Sequence, residues 1–163
     1  MNRQNVLNVI VFLSFFLIGT TSASADDNSR AYMMMRVFQQ SYISANVPDS
    51  ADFSRFLNRD LCEYFKKQLR KPVSIECELL RKEPTQSGVS CPKYYAWVVV
   101  FDGTQRINSG AVRLAAVDKK RFEITDFLSV DEIMANPDLV ETVFPILLCP
   151  DIRKRAGLGG PSA

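Results

Sequence analysis

The chain contains no histidine. That absence removes every mechanism in which an imidazole is the base, the acid or a metal ligand, including Ser-His and Cys-His nucleophile pairs and zinc sites built on His nitrogen. No Cys-x-x-Cys pair occurs among the four cysteines, so neither a thioredoxin-type redox centre nor a cysteine zinc site is encoded. A G-x-S-x-G nucleophile elbow and a phosphate-binding loop are both missing, as is any Asn-x-Ser/Thr glycosylation acceptor. Gly157, Gly159 and Gly160 neither follow a strand nor open a helix, so they make no nucleotide fingerprint. Charge is nearly balanced, with 20 Lys plus Arg against 18 Asp plus Glu. A nucleic-acid binder needs a clustered basic face, so nucleic acid is not an expected partner. Nothing in the residue types calls for a metal or a cofactor.

Long apolar runs are also scarce, and the one present lies at the start. Arg3 precedes an apolar stretch from Val9 to Ile18, followed by small and hydroxylated residues ending in Ala23-Ser24-Ala25. That order is the charged region, short apolar region and A-x-A cleavage site of an export signal. The stretch is shorter than the about 20 apolar residues needed to cross a bilayer as a helix, so no stable membrane anchor is expected. The reading is therefore a removed signal peptide at 1–25, a single domain at 26–150 and a flexible basic tail at 151–163 carrying Arg153, Lys154 and Arg155. Localisation follows as exported, in the periplasm or secreted. Removing the leader with Arg3 leaves 19 Lys plus Arg against 18 Asp plus Glu.

In an oxidising compartment an even number of cysteines reads as bridges, with three possible connectivities for Cys62, Cys77, Cys91 and Cys149. The favoured pairing joins Cys77 to Cys91 across one loop and Cys62 to Cys149 between an early helix and the C-terminal segment. Such closures stabilise by about 3 kcal/mol for the short loop and somewhat more than 4 for the long one, provided neither is strained.

Periodicity supplies the elements. Ser29 to Asn46 reads as a helix with Met34, Phe38, Tyr42 and Ala45 on one stripe, ended by Pro48. "DFSRFLNRDLCEYFKKQLRK" is a second helix, with Phe53, Leu57, Leu61, Phe65 and Leu69 in line. Its basic end, Lys66 to Lys71, is either a solvated last turn complementing the helix dipole or an anionic docking patch. Val73, Ile75, Cys77 and Leu79 then alternate with polar residues, as in a half-buried strand. "KYYAWVVVFDG" is apolar on both faces and so central, and Asp102-Gly103 signals a hairpin. "AVRLAAVD" and, after a turn at "DKK", "RFEITDFL" complete an antiparallel meander. Ser129 to Glu132 matches a capping box, Asn136-Pro137 opens a further helix, and Pro145 breaks it. The fold class is α+β, with N-terminal helices packed on a curved antiparallel sheet and a C-terminal helical segment.

"FQQSYISA", "LNRDLCEYFKKQL", "YYAWVVVFDG" and "AVRLAAVDKKRFEITDFL", spanning roughly residues 30 to 129, resemble in their order the α+β cone of the nuclear-transport-factor-two-like superfamily, sometimes grouped with cystatin-like folds. The resemblance implies a sheet curled around a helix to form a pocket, used by some members as an isomerase or hydratase site and by others for ligands or protein partners. A helical segment after the sheet departs from the simplest version and is expected to plug or cover the cone's mouth.

Carboxylate and tyrosine chemistry is what remains for an enzyme. Strict alternation places Asp126 on the face of Phe122 and Ile124, where burial raises a carboxyl pKa toward that of a base, with Tyr95 as the acid. Tyr42, Tyr64 and Tyr94 are further hydroxyls able to donate to an oxyanion. Against this, a bend near Phe127 turns Asp126 away to a structural partner, and Asp102 is a turn residue. Tyr94, Tyr95 and Trp97 form either a recognition surface or packing between sheet and helices. The leading expectation is an exported, non-enzymatic domain that binds another protein, such as an inhibitor or immunity protein against a toxin acting in the periplasm. The alternatives are a small-molecule or isomerase-like cone protein using Asp126 and Tyr95, and an accessory scaffold of an envelope complex tethered by the tail. Oligomeric state is open.

Overall fold

The structure is a computed structural model that describes residues 24–158. Residues 1–23 of the expected leader and the final five residues lie outside the described residues, and the leader's last two residues, Ser24 and Ala25, fall at the start of the first helix. The chain divides into two units, one ending at Phe38 and one running from Gln39 onward. Helix α1 (Ser24–Asn46) bridges that boundary in sequence, and α2 (Ser50–Leu69) follows. Four strands come next: β1 (Ser74–Leu79), β2 (Lys93–Asp102), β3 (Gln105–Val117) and β4 (Arg121–Ser129). The C-terminal segment contains α3 (Val130–Ala135), α4 (Leu139–Val143), a 3₁₀ turn (Ile146–Leu148), α5 (Cys149–Arg153) and a wide turn at Lys154–Leu158. The class is α+β, as expected. Among the described residues no helix is long and apolar enough to cross a membrane.

The expected stripe on α1 is not a core stripe. Met34 is 74% exposed and Ala45 is also exposed. Apolar residues at 32, 33, 34, 35 and 37 run around the helix instead of along one side, so no single face is amphipathic. The stripe on α2 holds: Leu57, Leu61 and Phe65 are buried, with Phe53 and Leu69 packed beside them.

The sheet is an open antiparallel meander in the order β1-β2-β3-β4. Gly103 at φ +59 allows the two-residue link between Asp102 and Gln105, and Asp118 and Lys119 both adopt left-handed backbone in the next turn. Each face of the sheet supports its own core. On the first, Tyr94, Ala96, Val98 and Val100 of β2 and Val112, Leu114 and Ala116 of β3 meet the α2 stripe and Phe122. On the second, Tyr95, Trp97 and Ala111 meet Ile133, Val140, Phe144, Cys149, Ile152 and Ala156 of the C-terminal segment. Cover on both sides explains why β2 reads as a continuous apolar run. The C-terminal segment therefore lies on the face opposite α2, where the odd residues of β2 demand cover. The tail also needs correction: Ile152 and Ala156 are buried, and Arg155 pairs with Glu78 of β1 and with Asp151. Chain through Leu158 is thus folded; amphipathic spacing outweighs the glycine-rich composition there.

Two bulges adjust the register. Val100 faces Asn108 while Phe101 faces Arg106, leaving Ile107 as the extra residue on β3. Arg113 faces Asp126 while Leu114 faces Ile124, leaving Thr125 as the extra residue on β4. Beyond the second bulge β3 and β4 approach closely, since a Cβ on Gly110 would stand 2.1 Å from the Leu128 carbonyl oxygen.

Candidate functional site

The second bulge decides the position of the best acid–base candidate. Phe122 and Ile124 belong to the first core, and so does Phe127, although simple alternation would put it opposite. One inserted residue inverts the parity, so Asp126 and Leu128 move to the second face. There Tyr95, Arg113 and Asp126 form a row across β2, β3 and β4, because Arg113 is the register partner of both others.

The row is brought together but its members are engaged with other partners. Arg113 Nε donates to Asp126 Oδ2 at 2.7 Å and Nη2 lies 2.5 Å from the same oxygen, while Nη1 donates to the Val143 carbonyl at 3.0 Å. The arginine thereby joins the bulge of β4 to the end of α4. Tyr95 is 5% exposed, its hydroxyl is hydrogen-bonded to that of Thr85 at 2.7 Å, and its ring stands edge-on to Phe144. With Arg113 between them and Phe144 above, Asp126 and Tyr95 do not converge on a cavity. The expected burial of Asp126 against Phe122 and Ile124 is overturned by the bulge, and the bend near Phe127 with a structural partner is what the chain adopts. Arg113 was the residue that periodicity overlooked; a lone charge inside "AVRLAAVD" is its signal.

The aromatic trio is core and not a surface. Tyr94 is 4% and Trp97 8% exposed, and Tyr94 faces α2 while Tyr95 and Trp97 face the C-terminal segment. Alternation separates adjacent residues onto opposite faces, which prevents a shared recognition patch. Tyr94 stacks edge-on with Phe53 and Phe122, and burial, with Glu83 nearby, pushes its phenol up to about 12. Burial likewise raises Tyr64.

All four cysteines are free thiols, so the two expected crossties are not formed. Cys62 rides on α2 at the first face whereas Cys149 is buried in the second core, with the sheet between them. Cys77 sits opposite Val98, five strand residues or roughly 17 Å from Lys93, beyond which Cys91 lies; a disulfide needs Cα atoms within about 7 Å. Among the described residues no group of three or more His, Cys, Asp or Glu could hold a metal ion.

Asp102 occupies the hairpin end and receives Lys71 Nζ at 2.7 Å, as a turn residue would. The remaining basic cluster, Lys66, Lys67 and Arg70, lines an open hollow of 540 Å³ with Glu63, Lys71 and Pro72. These charges surround the last turn and cap of α2, where cations complement the helix dipole. Comparison of the chain with protein-family models, curated proteins and solved structures returned no match.

Proposed function

We propose that the chain is an exported, non-enzymatic domain that binds another protein, and that its role is to neutralise a partner acting in the periplasm, as an inhibitor or immunity protein does. What supports this reading is a run of exposed apolar residues on α1: Tyr32, Met33, Met34, Met35 and Val37 are each more than half exposed. Methionine-rich helix surfaces adapt well to a partner's groove. The occupant in this proposal is an apolar helix-binding groove on a protein of different sequence. The acid–base alternative is less well supported, because Asp126 is held by Arg113 and Tyr95 is beneath Phe144.

The test is capture with the tagged chain in its native host, followed by native mass spectrometry of the purified species. A stoichiometric complex that is lost in a Met34→Glu, Val37→Glu variant is the expected result. Recovery of the folded chain alone, or a complex indifferent to both substitutions, overturns the reading.

A further inference from the structure

The first bulge builds a hollow that the protein-binding reading does not use. Arg106, Ile107, Asn108 and Ser109 of β3 and Val130 and Asp131 at the start of α3 line an open depression of 270 Å³. The extra residue Ile107 breaks the alternation of β3 here, and bulges are a common means of re-aiming a side chain beside a site. Arg106 Nη2 donates to the hydroxyl of Ser109, a polar residue only 5% exposed, whose own N–H donates to Asn108 Oδ1 at 2.7 Å. The guanidinium is thus held by Ser109, and among the described residues it makes no other side-chain hydrogen bond.

Asp131 is the other charged residue of the lining. It is the second residue of α3, whose start is set by reciprocal bonds between Ser129 and Glu132: the Ser129 N–H donates to Glu132 Oε2 at 2.8 Å and the Glu132 N–H to Ser129 Oγ at 3.3 Å. Among the described residues no ion pair joins Arg106 to Asp131, nor either one to another charge. Two opposite charges therefore line one small depression without neutralising each other, and half-buried Ile107 and Val130 supply aliphatic wall beside them.

The chemistry matching that arrangement is a small molecule carrying a carboxylate for Arg106, an ammonium for Asp131 and an aliphatic substituent for the wall. We propose that the hollow binds a free α-amino acid as its zwitterion. Its volume falls just below the about 300–1,000 Å³ typical of pockets for drug-sized ligands, which suits a ligand of a few heavy atoms. Charge-assisted bonds at both ends of one small rigid ligand favour the zwitterion over either ion alone, because its second contact adds no further loss of translational freedom. This inference stands independently of the protein-binding reading.

The test is titration of the 15N-labelled chain with L-alanine, acetate and ethylammonium separately, following the backbone amide signals of Ile107, Asn108, Ser109 and Asp131. Saturable shifts with L-alanine below about 10 mM are expected, with acetate and ethylammonium each at least about tenfold weaker. Arg106→Gln and Asp131→Asn, both at exposed positions, should each weaken L-alanine by about tenfold while the rest of the spectrum stays that of the folded protein. No saturable shift with L-alanine, equal affinity for acetate, or an unchanged affinity in either variant overturns the proposal.

Discussion

Replacing Arg113 by methionine keeps the aliphatic stem but removes the guanidinium that joins β4 to α4. Lost with it are two charge-assisted contacts to Asp126 Oδ2, a longer bond to Thr125 Oγ1 and one bond to the Val143 carbonyl. Hydrogen bonds to charged groups contribute about 1.5–3 kcal/mol and fully exposed pairs about 0.2–1. The side chains here are 33% and 27% exposed, which places the pair between those limits. Arg113→Met should therefore destabilise by about 2 kcal/mol, Asp126→Asn by about 1, and the double variant by about 2, leaving a coupling of about 1 kcal/mol. Urea unfolding followed by the fluorescence of Trp97 reads this directly, since the single tryptophan is buried in the core formed with the C-terminal segment. Coupling indistinguishable from zero would refute the assignment of Asp126 as a structural partner, and retained coupling with loss of a turnover would return it to chemistry.

Ile152→Ala should destabilise by about 2–5 kcal/mol, because Ile152 is fully buried in the second core; a change below about 0.5 would show that the C-terminal segment is not part of the fold. Burial pushes the Cys77 thiol up to about 11 from 9.0, so its thiolate fraction near neutral pH falls about a hundredfold. Mass-spectrometric alkylation of the native chain should accordingly label half-exposed Cys91 well before Cys77, and equal rates would contradict the packing. Glu78, bonded by Arg155, and Glu132, bonded by Ser129, both have depressed pKa values. Their contribution to stability is complete above the ordinary value of 4.5 and is lost as pH falls through the depressed folded values. Thermal melts should therefore weaken in acid, and Arg155→Met should flatten the part due to Glu78; an acid profile identical in that variant would sink the assignment.

Legibility in the sequence tracks the range of the interaction. The α2 stripe, the alternation of β1, the glycine turn after Asp102 and the capping box at Ser129 all rest on neighbours within a few residues, and each appears where expected. Where the strand-face and tail readings depart from the structure, partners are distant in the chain. Nothing local announces that Thr125 would be extra on β4, because a bulge is a property of two strands in register. That one residue moves Asp126 from the face of Phe122 to the face of Arg113. The C-terminal tail differs from its composition for a related reason: its glycines suggest flexibility, while Ile152 and Ala156 find burial only against a sheet face built much earlier.

By itself the sequence determined the α+β element order and the absence of imidazole chemistry, because backbone propensity, side-chain period and residue type are carried by the chain at short range. Tertiary structure alone decided which face each strand residue serves, that Tyr94 and Tyr95 belong to different cores, and that Arg106 and Asp131 share one hollow. Those outcomes depend on strand register and on cover from both sides of the sheet, and register is settled only when the distant segments meet.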